Sequence, residues 1–138
     1  MNGVYNFFRD RRGATAVEFA LVLPVLIAMI VLVIEGSRLL WTQQALQEAA
    51  SQTARCVAIG SDGCDTLEGA KLYGQRRAAR MGIRVETGAI SVSTAQKCHD
   101  VVDMNKAVID TPFNSPFGGL IPMFPKRLDA EACFPSLK

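Results

Sequence analysis

The fold is decided by residues 14–34, which read ATAVEFALVLPVLIAMIVLVI. Within this stretch Glu18 is the only charged residue, and the sixteen residues from Phe19 onward carry no charge. Twelve of those sixteen are Leu, Ile, Val or Phe, which favours membrane insertion by about 4 to 7 kcal/mol. One carboxylate, even at the bilayer centre, costs only about 3 kcal/mol. Since about 20 apolar residues span a bilayer, we predict a transmembrane helix over residues 14–35.

The charges around this run predict its orientation. Residues 1–13 form a leader with three arginines and one aspartate, a net charge of +2, whereas the rest of the chain has as many basic as acidic side chains. The positive-inside rule then places the N-terminus in the cytoplasm and everything after the run outside it. Residues 35–38 read EGSR, which is a poor site for ordinary signal peptidase. A neutral remainder also argues against nucleic-acid binding.

An amphipathic segment, residues 36–58, follows the apolar run without a Gly-Pro break. Its apolar and small residues recur at helical spacing, and glutamines and charged residues lie between them. We therefore predict one continuous helix from Ala14 to Ala58. The residues predicted to form its inner face are Leu39, Leu46, Ala49, Ala50, Thr53 and Val57.

The remaining residues, 59–138, predict a small head with a second helix and a short antiparallel sheet, so the fold class is α+β. A turn at 60–63 and an N-cap at Asp65 or Thr66 predict a helix that ends near Gly82. The predicted inner face of this helix consists of Leu67, Ala70, Tyr73, Ala78 and Met81.

Alternating apolar residues predict the strands of the sheet. Ile83, Val85 and residues 90–94 form one such pattern, and Val101 to Ile109 form a second. Residues 111–125 are rich in proline and predict a loop with exposed apolar residues. Residues 128–134 are expected to return as a strand or a short helix.

Four cysteines, Cys56, Cys64, Cys98 and Cys133, follow the apolar run and are therefore expected in an oxidising compartment, where two disulfides form. Of the three possible pairings, Cys56 with Cys64 and Cys98 with Cys133 is the simplest because each closes a local unit. A zinc site that included His99 is disfavoured, since no C-x-x-C is present and the spacings are irregular. We expect no metal and no cofactor.

The sequence contains no motif for catalysis. G-x-S-x-G, Walker, H-E-x-x-H and dinucleotide-binding patterns do not occur in it. His99 is the only histidine and is expected on the surface, and Asp100 and Asp103 are expected to be solvated. The prediction is a protein that is not an enzyme.

Residues 11–24, which read RRGATAVEFALVLP, resemble the processing and assembly motif of Tad-type pseudopilins, and the similarity continues to about residue 55. In that family a dedicated prepilin peptidase cuts after a glycine and leaves an acidic residue fifth in the mature chain. Gly13 and Glu18 have this spacing, with Ala14 as the first mature residue. The resemblance therefore implies processing between Gly13 and Ala14 and a role for Glu18 in assembly.

This resemblance implies a structural minor pilin or pseudopilin of the Tad (Flp-type, type IVb) pilus. Phe19 stands where major Tad pilins typically have tyrosine, and the head is larger than theirs. By size the chain resembles TadE, and a TadF-like protein is the alternative.

The implied partners are the Tad prepilin peptidase, other pilin and pseudopilin subunits, the inner-membrane assembly platform and the lipid bilayer. The expected location is the bacterial inner membrane, with one pass and a periplasmic or extracellular head. Entry into the pilus and methylation of the Ala14 amine stay open. An uncleaved, signal-anchored periplasmic binding or scaffold protein is the alternative function.

Overall fold

The computed structural model describes residues 12–118 and 124–137. Residues 1–11 of the predicted leader therefore lie outside the described residues. The described chain forms two compact units, which divide between Ser37 and Arg38. In chain order the elements are α1 (Arg12–Ile59), α2 (Leu67–Arg80), a 3-10 turn (Thr87–Ala89), β1 (Ile90–Cys98), β2 (Val101–Pro112) and β3 (Arg127–Pro135).

Helix α1 is one helix of 48 residues, so the predicted continuity of the apolar run with the amphipathic segment is confirmed. Pro24 lies inside it and cannot donate a backbone hydrogen bond to the preceding turn. Membrane helices tolerate this loss. The helix ends at a turn that contains Gly60 and Gly63, both with positive φ (67° and 87°), as the turn prediction requires.

The second half of α1 forms one wall of the core of the head. Leu46, Ala49, Ala50 and Thr53 are completely buried, and Leu39 and Val57 are partly buried against them. The hydroxyl of Thr53 donates to the Ala49 carbonyl at 2.7 Å, so this polar atom is satisfied within the helix. The predicted inner face is therefore confirmed.

Helix α2 begins as predicted, with Thr66 as its N-cap. The Thr66 hydroxyl accepts a hydrogen bond from the Gly69 N–H at 3.1 Å. The buried residues of α2 are Ala70, Gly74 and Ala78. The placement of Leu67 on the inner face was wrong, because this side chain lies in the first turn, at an open cavity, and is 49% exposed.

The two helices approach closely at Gly74. A Cβ atom at this position would lie 2.7 Å from the Thr53 hydroxyl oxygen and 3.4 Å from the Ile90 side chain. The first distance is too short for ordinary van der Waals contact, so glycine is what permits this spacing of α1, α2 and β1. The sequence pattern did not identify Gly74 as part of the core.

The sheet has the order β1-β2-β3, and both neighbouring pairs are antiparallel. Ile109 at its centre pairs with Ile90 on one side and Ala130 on the other. The inner face is completed by Val92, Asn105, Ala107, Thr111 and Leu128, all buried.

Two glutamines fasten α1 to β3. The Gln43 side-chain amide donates to the Asp129 carbonyl at 2.7 Å, and that of Gln47 donates to the Glu131 carbonyl at 2.9 Å. The bonded carbonyls belong to alternate residues of β3, so the two contacts follow the pleat of this strand.

Some predicted boundaries of the sheet were wrong. Ile83 and Val85 precede the 3-10 turn and belong to no strand, although Val85 is buried in the core. Strand β2 continues to Pro112 because it pairs with β3 along its whole second half. Phe113, expected to be exposed in the loop, is buried. Residues 128–134 lie in a strand, which decides between the two predicted forms, while residues 119–123 of the loop lie outside the described residues.

Disulfides join Cys56 to Cys64 and Cys98 to Cys133, with Cα atoms 5.9 Å and 6.5 Å apart. This is the pairing that the sequence favours. The first disulfide fixes the turn after α1, and the second links the end of β1 to β3. The disulfide-stapled α+β head predicted from the sequence is thus confirmed.

Removal of the two disulfides should destabilise the head unequally. The bridges span 8 and 35 residues, and loop entropy gives contributions of about 2.6 and 3.8 kcal/mol. We expect Cys98→Ser/Cys133→Ser to lower the free energy of unfolding more than Cys56→Ser/Cys64→Ser, as measured by denaturant titration of the detergent-solubilised chain. The reverse order would show that loop closure is not the main contribution.

Gly74→Ala should destabilise the head although alanine is the better helix former. The new methyl group would push against Thr53, at a cost of about 1 to 3 kcal/mol that exceeds the gain of about 1 kcal/mol in helix propensity. The matched control is Gly88→Ala, because a Cβ at Gly88 meets no atom within 4 Å. Thermal unfolding should show a lower midpoint for the first variant only. Equal midpoints would contradict the close approach.

Candidate functional site

The first part of α1 presents apolar side chains to its surroundings. From Val17 to Ile34 its large apolar residues are exposed, with only Val31 half-buried. An 18-residue window has a mean hydropathy of 2.9, and none of it is buried. Within the part of the chain that the structure describes, α1 is the one helix long and apolar enough to cross a membrane. Its surface therefore suits an apolar environment such as the interior of a bilayer.

Gly13 lies in the first turn of α1 and is exposed. A Cβ at this position would meet no atom within 4 Å. Packing among the described residues therefore gives no reason for glycine here.

Glu18 follows Ala14 by four residues on the same helix. Its side chain is exposed, and it forms no hydrogen bond or ion pair with the described residues. Four residues correspond to about 6 Å along the axis, slightly more than one turn. A charge at the Ala14 nitrogen and the Glu18 carboxylate are therefore separated by about one turn of helix. Gly13, Ala14 and Glu18 are brought together by helix geometry alone.

The ion pairs of the head lie on its surface. Arg127 and Asp110 are 2.8 Å apart across β2 and β3, and the hydrogen bond and the charge of Asp110 raise the pKa of the Arg127 guanidinium. Lys106 and Glu131 form a second pair at 2.8 Å between the same strands. Both contacts link β2 to β3 and stabilise strand pairing.

Cys98, His99 and Cys133 come together closely enough to resemble a metal site, with possible ligand atoms within 4.8 Å of one another. The two cysteines are joined in a disulfide, and a disulfide sulfur is not the thiolate that binds zinc. His99 is exposed and forms the two-residue turn between β1 and β2 with Asp100. Both have positive φ (48° and 69°), as a type I′ hairpin turn requires.

A cavity of about 400 Å³ was not predicted from the sequence. It lies where the end of α1 and the start of α2 meet the sheet, and Asp65, Asp103 and Asn105 contribute to its lining. The only sequence signal for it is Asn105, which interrupts an inner face of β2 that otherwise continues with Ala107 and Ile109.

The described chain thus combines one apolar helix that could cross a membrane with a small α+β head. Residues 13–55 match the family model described as TadE-like protein. The match begins at Gly13 and ends just before the first cysteine. It therefore covers most of α1 and none of α2 or the sheet. It confirms the resemblance seen in the sequence and is consistent with a TadE-like protein of the Tad pilus system.

No curated protein and no solved structure gives a significant match to this chain. The family match supports a pilin-like protein associated with the Tad pilus, whose family has a structural rather than an enzymatic role. The match to this family also suggests interaction with other components of the pilus.

Proposed function

We propose that this chain is a minor pilin or pseudopilin with a structural role in assembly of the Tad pilus. The observation that carries the proposal is the placement of Gly13 and Glu18 at the start of an exposed apolar helix, within the segment that matches the TadE-like family. Neither residue is explained by contacts among the described residues. Processing of the N-terminus would explain Gly13, and packing of the helix beside other helices would explain Glu18.

The first proposed step is insertion with the leader, residues 1–13, in the cytoplasm. Its net positive charge favours this orientation, and the apolar surface of residues 14–35 favours the bilayer. Trp41, which is 62% exposed, follows the apolar run by about two helical turns. Tryptophan is enriched where a membrane helix meets water. The segment 36–58 and the head, 59–138, are then periplasmic or extracellular, where disulfides persist.

The second proposed step is cleavage between Gly13 and Ala14 by the Tad prepilin peptidase. Gly13 is exposed, and its absent side chain leaves room for the enzyme. Cleavage turns the Ala14 nitrogen into a charged amine at the end of an apolar helix. Such a charge in the membrane is costly until it is paired.

The third proposed step is lateral association with other pilin and pseudopilin subunits at the inner-membrane assembly platform. Glu18 of one subunit would pair with the Ala14 amine of a neighbour. Because the two groups lie about one turn apart on their own helix, pairing between chains fixes the axial shift of one helix against the next. The apolar side chains would supply the remaining contact, and the folded head would cap or connect the assembly.

An uncleaved, signal-anchored periplasmic binding or scaffold protein is the competing function. It would use the same apolar helix as an anchor but would retain residues 1–13. The mass of the purified protein separates the two, since only the processed form begins at Ala14.

Gly13→Leu should block processing. A branched side chain at the scissile bond obstructs the peptidase, so the precursor accumulates and pili are absent. The measurement is the intact mass of the membrane-extracted protein, together with piliation by electron microscopy. Native protein is expected to begin at Ala14 and, with two disulfides, to be four hydrogens lighter than the reduced chain. A native protein that retains its leader while pili assemble normally would overturn the proposal.

Glu18→Gln should allow cleavage but weaken assembly. Loss of one partner of a desolvated charge pair costs about 3 to 5 kcal/mol, so incorporation of the subunit should fall by at least about tenfold. The matched control is Glu86→Gln, an exposed carboxylate outside the helix. Processing is measured by mass, and association by crosslinking to the other pilins. Normal association of a processed Glu18→Gln subunit would rule out the proposed pairing.

A further inference from the structure

Exposed apolar side chains continue a short way beyond the apolar run of α1. Within residues 38–58 of this helix, Leu40 and Trp41 are the only large apolar residues that are mostly exposed, at 67% and 62%. Trp41 follows Ile34, the last residue of the run, by seven residues, or about 10 Å of helix. Apolar exposure on this part of α1 is therefore confined to its first turns, as expected for residues at a membrane surface.

Trp41 fixes the end of α2 beside these residues. Its indole N–H donates to the carbonyl of Met81, the C-cap of α2, at 3.3 Å. The Gln75 side-chain amide donates to the Val85 carbonyl at 2.9 Å, which holds the turn after α2 against the helix. The end of α2 and the turn that follows it therefore lie at the level of Trp41 on α1.

The end of α2 is positively charged. Residues 76–86 contain four arginines and one glutamate, a formal net charge of +3. Arg77 is paired with Glu48 of α1 at 3.7 Å. Arg80 and Arg84 are exposed, and neither forms an ion pair with any residue in the described ranges. Two guanidinium groups without an ionic partner thus lie on either side of the C-cap that Trp41 contacts.

These arginines do not contradict the predicted orientation of α1. The positive-inside rule counts basic residues within about 15 to 20 residues of a membrane-spanning segment. Arg80 and Arg84 follow Ile34 by 46 and 50 residues in the sequence. They reach the level of Trp41 only through the folding of the head, so they have no influence on insertion.

We propose that Leu40, Trp41, Arg80 and Arg84 form a patch that binds the headgroups of anionic phospholipids on the side of the bilayer that faces the head. Guanidinium groups bind phosphate oxygens through paired hydrogen bonds, and tryptophan favours the headgroup level of a bilayer. An acidic segment of another protein would account for the arginines alone. Anionic lipid accounts for the arginines and for the two exposed apolar side chains beside the apolar run.

The inference rests on the proposed insertion of α1 into the membrane and not on the role in the pilus. Each arginine near an anionic bilayer strengthens docking by about fivefold, so the two together contribute about 25-fold. Lipid binding would hold the end of α2 at the membrane surface, a second attachment of the head besides the continuous helix.

The test uses Trp41 as the reporter, since it is the only tryptophan of the chain. The full-length protein is placed in nanodiscs of phosphatidylcholine, with or without an equal part of phosphatidylglycerol. Acrylamide, a neutral quencher that stays in water, measures how far the indole is covered. We expect phosphatidylglycerol to lower the quenching constant at least about twofold at low salt. The difference should disappear toward about 1 M salt, where the Debye length is about 3 Å.

Arg80→Gln/Arg84→Gln should remove this dependence on lipid charge, with equal quenching in the two kinds of disc and an unchanged far-ultraviolet circular dichroism spectrum. The matched control is Arg55→Gln, which removes an exposed arginine about 21 Å from Trp41 along α1 and should behave like the native chain. Inorganic phosphate should weaken docking no more than sodium chloride of equal ionic strength, because the patch binds phosphate groups at the membrane surface.

The outcomes separate the patch from the insertion on which it rests. Equal quenching of the native chain in both kinds of disc, or a lipid dependence that survives in the double variant, would overturn the patch and leave insertion intact. A native chain that does not enter the discs would contradict insertion as well. Protection of Trp41 by polyglutamate in neutral discs, without protection by phosphatidylglycerol, would assign the arginines to an acidic protein segment instead.

Discussion

The head depends on the close packing of small residues where the second half of α1 meets α2. Thr53 of α1 and Gly74 of α2 meet here, and Ala49, Ala50, Ala70 and Ala78 are buried on the same two helices. Large side chains on either helix would separate the pair and lift it from the sheet. Because these contacts bury little apolar area per residue, the disulfides contribute much of the stability that a domain of this size needs.

A single helix carries two different surfaces. Its first part is apolar on all sides, while its second part has a buried small-residue face and a polar exposed face. One continuous helix therefore combines a segment apolar enough to cross a membrane with a segment that packs in the head, without a Gly-Pro break between them. The match to the TadE-like family follows this helix rather than the head.

Patterns with a single strong physical cause could be predicted from the sequence. The apolar run, the helix periodicity around Leu46, the Thr66 cap and the local pairing of cysteines each follow from spacing along the chain. Sequence reasoning failed where distant segments decide the outcome. The exposure of Leu67, the burial of Phe113 and the close contact of Gly74 with Thr53 all depend on which elements become neighbours.

The candidate sites show the same division. Gly13, Ala14 and Glu18 could be selected because family resemblance adds a reason that their local structure does not supply. The cavity could not be predicted from the sequence, because its polar residues come from four separate segments. Only Asn105 is visible in the sequence, as a polar residue in the alternating pattern of a strand. The positive φ of Ala95 and Asp103 could not be predicted from the sequence, because neither residue type by itself indicates a β-bulge.

The contacts of Gln43 and Gln47 with β3 have a consequence for how copies of this protein can meet. β3 is an edge strand, and exposed edges recruit strands from other chains and promote aggregation. Here the carbonyls of Asp129 and Glu131 are already occupied by the glutamine amides of α1. Intermolecular sheet extension along this border is therefore discouraged.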